Sequence, residues 1–181
     1  MPAPDHDKPE EIVWQGKYVT AKTRGRWEYV SRSRGIRAAV VLAVDEDDHV
    51  LLVEQYRVPL GQTCIELPAG LIGDDDGSSD EDPLAAAGRE LVEETGYEAA
   101  TLEDMGTYFS SPGMVSESFT LVRARGLSRV GEGGGVDGED ITVHRVARAN
   151  VPSFLARKRA EGCGIDVRML LLLGQGIIEG E

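Results

Sequence analysis

Cysteine is scarce in this sequence of 181 residues: there are two, Cys64 and Cys163. That number excludes a disulfide framework, and their separation excludes metal-site spacing, so both read as small buried hydrophobes. Long hydrophobic runs are also missing. The longest, residues 38–44 and 169–173, fall far short of the roughly 18 residues that span a bilayer. The opening MPAPDHDKPEE has neither a basic n-region nor an apolar h-region, so no secretory signal is expected in it; it reads as a disordered acidic lead-in. These absences point to a cytoplasmic protein with no membrane partner. Basic residues are few as well. Nineteen Lys and Arg against 32 Asp and Glu leave a net charge of −13, a field that repels nucleic acid and argues against it as a partner. The same field repels an anionic small molecule unless cations and a few placed arginines reverse it locally. There are no internal repeats. What remains, 41% hydrophobic and 28% charged, is an ordinary globular composition with enough length for one sizeable core.

Residues 16–30 alternate loosely and carry Tyr18, Val19, Trp27, Tyr29 and Val30, the pattern of a β-hairpin or two short strands. Residues 36–44 are almost continuously apolar, as in a buried strand. A turn at 45–49 leads to a strand at 50–53, and another short strand spans 63–67. A Gly, Ser and Asp-rich loop fills 73–82. Residues 83–95 form the clearest helix. Asp82 suits the cap, Pro83 the first helical position and Gly96 the position just past the end, while Leu84, Ala87 and Leu91 make its apolar stripe. Strands are expected at 105–109, 119–124 and 141–146, a glycine-rich acidic loop at 131–138, and helices at 152–161 and 166–173. Strands on both sides of one central helix, with helices at the end, suggest a mixed α/β sandwich.

The helix carries the chemistry. Glu90, Glu93 and Glu94 stand at i, i+3 and i+4, so three carboxylates share one arc of about 100° beside the apolar stripe. Like charges at that spacing repel, and a divalent cation would remove the repulsion by taking the oxygens as ligands. Arg89, four residues before Glu93, can hold it by an ion pair and fix its orientation. The helix follows Leu67-Pro68-Ala69-Gly70, where a tight turn can aim a backbone carbonyl at the same cation. A solvated acidic helix face is the plain alternative for any such run alone.

Glu81, seven residues, then Arg89-Glu90-Leu91-Val92-Glu93-Glu94-Thr95-Gly96-Tyr97 resembles the Nudix box, in which a glycine and five intervening residues precede the first Glu. Here ten residues lie between Gly70 and Glu81 where the box has five, so residues 73–80 hold a five-residue insertion beside the site. The resemblance continues outside the box. Glu54-Gln55-Tyr56-Arg57, Ile65-Glu66-Leu67-Pro68-Ala69-Gly70 and Pro112, 16 residues after Gly96, are similar to the ADP-ribose pyrophosphatase branch.

The resemblance implies a Nudix-type α/β/α sandwich with a mixed sheet, spanning 36–181, preceded by a small N-terminal β segment within 1–35 that is swapped between the chains of a homodimer. It implies Glu90, Glu93, Glu94 and the Ala69 carbonyl as ligands of Mg²⁺, with Mn²⁺ as a substitute, and Glu93 and Arg89 within the catalytic group. Glu139 is implied as general base or further ligand, on a flexible loop that closes over the substrate; Asp137 is the alternative. Arg57 is the candidate phosphate clamp, since guanidinium pairs bidentately with phosphate, and Arg32 a second of the same kind. Tyr18 and Trp27 are expected to sandwich a purine. The implied reaction is hydrolysis of the diphosphate of ADP-ribose to AMP and ribose 5-phosphate. Another nucleoside-diphosphate sugar such as GDP-mannose is the alternative substrate, and a non-catalytic ADP-ribose sensor the alternative role.

Overall fold

In the computed structural model, which describes residues 3–33, 36–73, 81–136 and 138–180, eleven strands form three sheets. The first holds β1 (Glu10–Gln15), β2 (Val19–Arg24) and β3 (Trp27–Arg32), joined antiparallel in that order. The second, in the order β10 (Thr142–Ala147), β5 (His49–Arg57), β6 (Gln62–Glu66), β11 (Gly164–Ile165), has β11 parallel to β6 and the rest antiparallel. The third has the order β7 (Ala69–Ile72), β4 (Arg37–Ala43), β9 (Ser118–Arg129), β8 (Tyr97–Phe109), with β4 and β9 parallel. An isolated bridge from Val44 to Val50 links β4 to β5 across the turn at 45–48.

The almost unbroken apolar run of β4 is explained by burial on both faces. Ala39, Val41 and Ala43 pack with Leu51, Val122 and the apolar stripe of helix α1 (Pro83–Thr95). Val40, Leu42 and Val44 pack with Val50, Leu52 and Ile65 toward helices α2 (Val151–Ala160) and α3 (Leu170–Glu179), through Val151, Phe154, Leu155 and Leu172. With period 2 along the strand, each side chain has an apolar partner on its own side. The result is the expected α/β/α sandwich with mixed sheets. No helix among the described residues is long and apolar enough to cross a membrane.

Several boundaries differ from the sequence reading. A strand begins inside the acidic lead-in: Glu10 and Glu11 open β1, and the Glu10 carboxylate is held by Lys22 at 2.7 Å, Arg24 at 3.4 Å and the Tyr29 hydroxyl. The strand expected at 105–109 begins eight residues earlier, at Tyr97. The turn after Pro68 is itself a strand, β7, and residues 74–80 of the proposed insertion lie outside the described residues. The helix expected at 166–173 is a 3₁₀ turn, Val167–Met169, capped by the Asp166 carboxylate, followed by α3 as far as Glu179.

The N-terminal sheet meets the core along a thin seam. Val30 donates to the Met114 carbonyl and accepts from the Ser116 amide, both at 3.0 Å, and Arg32 pairs with Glu117 at 2.5 Å. Ile12, Val13, Trp14, Tyr18 and Trp27 remain largely exposed on this sheet.

Candidate active site

Helix α1 is built as its sequence dictates. The Asp82 carboxylate accepts from the Leu84 amide at 3.0 Å, Pro83 takes the first turn, and Gly96, at φ 73°, turns left-handed and returns its N–H to the Val92 carbonyl at 2.8 Å. Leu84, Ala87 and Leu91 face the core. The carboxylate arc beside them opens on a cavity of about 790 Å³.

Glu94 is the deepest of the three, 5% exposed, and accepts from the Ala69 amide at 2.9 Å. Burial, reinforced by the neighbouring Glu90 and Glu139 charges against the Ala69 bond, pushes its carboxyl up to about 8. Burial raises Glu90 as well, with Glu93 and Glu139 adding to it and Arg89 opposing. Both shifts say the same thing: the site holds more negative charge than its surroundings can solvate. Arg89 supplies the compensation. Its Nη1 lies 2.8 Å from Glu90 and 3.2 Å from Glu93, and its Nη2 lies 3.6 Å from Glu81 and 3.4 Å from the Leu71 carbonyl. The expected Arg89–Glu93 pair is therefore one arm of a four-way contact. Glu81 accepts from the Gly73 amide at 3.0 Å, which ties the start of the loop to the same group. Gly70 leaves room for the Glu90 carboxyl, which a Cβ there would displace from its present position.

Among the described residues no three carboxylate, histidine or cysteine side chains form a ready-made metal cluster. In this arrangement Arg89 occupies Glu90 and Glu93, and Ala69 occupies Glu94. The donor set itself fits a hard divalent cation: clustered carboxylate oxygens, partly buried, with ionisation opposed by crowding. Ala69 lines the same cavity.

Arg57 also lines the cavity, but its guanidinium is bound by Glu66, Nε at 2.6 Å and Nη2 at 3.0 Å, so only part of its fork faces outward. Sequence reasoning missed the rest of this network. Arg168 Nη2 reaches the same Glu66 at 3.3 Å and Asp166 at 2.9 Å, and its guanidinium lies 5.7 Å above the Phe119 ring. Burial opposes the Asp166 charge, yet the Arg168 bonds outweigh it and hold the carboxyl below its ordinary range. Arg32 joins the lining, paired with Glu117. Glu139 lines the same cavity, with its side-chain Oε2 accepting from the Val136 amide at 3.0 Å. Asp137 lies outside the described residues. Tyr18 and Trp27 do not line this cavity; they stand about half exposed on the N-terminal sheet.

Fold and site together define an α/β/α sandwich whose chemistry is built on a strand, a loop and a carboxylate-bearing helix. The family model of the NUDIX domain matches residues 34–158, and the chain belongs to the Nudix family. Similar proteins include an ADP-ribose pyrophosphatase of Bacillus subtilis (strain 168), 38% identical over half of this chain and 46% of that protein. A GDP-mannose pyrophosphatase of Cronobacter sakazakii is 39% identical over 77% of this chain and 72% of its own length. A crystal structure of an ADP compounds hydrolase superposes with a TM-score of 0.63 over 85% of this chain and 92% of that one, at 23% identity, a likeness of fold. The chain spans about half the length of most of the curated relatives it matches.

Proposed function

We propose that this protein hydrolyses the diphosphate of a nucleoside-diphosphate sugar, with ADP-ribose the substrate and AMP and ribose 5-phosphate the products. One observation carries the reading: Glu90, Glu93 and Glu94 line a cavity that also holds Arg32, Arg57 and Glu139. The relatives named for ADP-ribose hydrolysis support it.

Glu90, Glu93 and Glu94, with the Ala69 carbonyl, are the groups that would hold Mg²⁺, or Mn²⁺ in its place. Bound there, the ion would neutralise phosphate charge and make a water easier to deprotonate. The chain's own residues do the rest. Arg89 orients Glu90 and Glu93. Arg57 and Arg32 clamp phosphate oxygens, which offsets the repulsion expected from a net charge of −13. Glu139 takes the proton of the attacking water. The water oxygen bonds to phosphorus, the bridging P–O bond breaks, and the leaving phosphate departs with its sugar.

We also read the chain as a cytoplasmic homodimer. Its segment before residue 36 is swapped against the partner's core and brings Tyr18 and Trp27 to the partner's purine. The unpaired thiols of Cys64 and Cys163 fit a reducing compartment.

The test is a turnover panel with Mg²⁺: ADP-ribose, GDP-mannose, ADP-glucose, NADH and diadenosine polyphosphates. ADP-ribose should give the highest kcat/KM. A higher value for GDP-mannose would favour the second reading, to which the long Cronobacter match points. Binding of ADP-ribose without turnover of any substrate would make the protein a sensor.

A further inference from the structure

Every helix ends with carbonyls that have no partner inside the helix. In α1 those carbonyls belong to the site itself, and they are not left to water. The Gly134 amide donates to the Glu94 carbonyl at 2.8 Å and the Gly135 amide to the Glu93 carbonyl at 3.0 Å. The amides of Val130 and Gly131 both donate to the Gly96 carbonyl, at 2.8 and 3.0 Å. Residues 130–135 therefore lie as a backbone strap across the end of the carboxylate helix.

Only bare backbone can lie this close. Gly133, at φ 72°, is placed so that a Cβ would fall 2.7 Å from the Glu94 carbonyl oxygen and 2.8 Å from the Gly96 nitrogen. Neither atom can retreat without unwinding the helix end. Gly135, at φ 80°, leaves room for the Glu139 side chain, whose Cβ would be 2.9 Å from an added Cβ. Beyond it the chain closes back on the strap: the Ile141 amide donates to the Gly134 carbonyl at 3.1 Å, and the Gln55 side chain donates to the Glu139 carbonyl at 3.3 Å. Glu139 thus sits in a short turn whose near end is bonded to the peptide groups of Glu93 and Glu94. The sequence reading places Glu139 on a flexible glycine-rich loop that closes over the substrate. In the structure Gly133 and Gly135 serve close approach to the end of α1 and to the Glu139 side chain.

We propose that Gly133 and Gly135 are positioning residues, whose strap sets Glu139 in register with the carboxylates of α1. The inference rests on the role given to Glu139 above. Its physical basis is that reacting groups on two separate elements must be held to within a fraction of an ångström, and that a misplacement of about 1 Å can cost a hundredfold in rate.

Four proteins test it: wild type, Glu139→Gln, Gly133→Ala and the double variant, each assayed on ADP-ribose with saturating Mg²⁺. Gly133→Ala should lower kcat at least about tenfold with KM within about threefold, as expected for lost placement rather than lost binding. In the Glu139→Gln background the same change should cost almost nothing more, because the glycine acts through Glu139. Full activity of Glu139→Gln would remove the role of Glu139 itself. Loss in Glu139→Gln with an unimpaired Gly133→Ala, or additive losses in the double variant, would overturn the strap alone. Amide hydrogen exchange on the wild type decides the matter even if Gly133→Ala does not fold. The Gly134 and Gly135 amides should be protected like the last turn of α1, and exchange at open-loop rates would refute the proposal.

Discussion

At the scale of single residues, Glu94 joins the fold to the chemistry. Its carboxyl is raised to about 8 by burial, so the metal-free protein at neutral pH carries it largely protonated. Glutamine has the shape of that protonated form. Glu94→Gln should therefore fold normally yet lower kcat by at least about a hundredfold, since a charged group needed in the transition state is gone. Circular dichroism and turnover at saturating Mg²⁺ check both halves. A pH dependence follows too. A carboxyl with a raised folded pKa loses stability as pH climbs from its unfolded value to its folded one. In EDTA, the wild type should become less resistant to urea between about pH 4.5 and 8, and Glu94→Gln should show a flatter profile. Cys64 gives a simpler test: buried, with its thiol pushed up to about 12, it should react with a thiol reagent only after unfolding. The acidic triad and Arg89 were legible because helical spacing places i, i+3 and i+4 side by side. Glu66, Asp166 and Arg168 were not, because their contact joins Glu66 to Arg168 across 102 positions and nothing local announces it.

Among the elements, legibility follows burial. α1 was readable in full, both ends included, since cap, first-turn proline and terminal glycine each satisfy a local demand. Replacing Asp82 by Ala should cost about 1 kcal/mol in a urea titration, the usual worth of a side-chain N-cap. β4 was readable because both its faces are buried. β1 and the first half of β8 were not. β1 is exposed along its whole length, so no apolar period marks it and backbone pairing alone makes it a strand. In the first half of β8 only Tyr97, Ala99 and Leu102 pack on the core, too sparsely spaced among exposed residues to mark a strand. β7 was hidden by its brevity and its glycine. It is specified by its partner, pairing Arg37–Val40 with Ile72–Ala69.

For the molecule as a whole, the N-terminal sheet raises the question of assembly. It offers Ile12, Val13, Trp14, Tyr18 and Trp27 to solvent and joins the core through little more than Val30 and Arg32. Apolar surface of that kind calls for a partner, and two copies about a two-fold axis would supply it reciprocally, as the proposed dimer requires. Sedimentation at micromolar concentration should show a dimer; a monomer would refute the proposal. Trp27→Ala should raise KM for ADP-ribose ten- to a hundredfold, the equivalent of roughly 1–3 kcal/mol of lost base stacking, with a smaller effect on kcat. An unchanged KM would leave Trp27 as a packing residue of its sheet.

The parallel pairing of β4 with β9 has a consequence for how the protein comes into being. Val40 lies beside Leu121, roughly eighty positions later, and β5 waits for β10 across a similar span. During synthesis the most apolar strand of the chain emerges long before its parallel partner β9 exists. Until residue 124 has left the ribosome, β4 has only β7 to pair with. Nascent chains arrested before that point should bind chaperones through residues 37–43, and chains released beyond it should not.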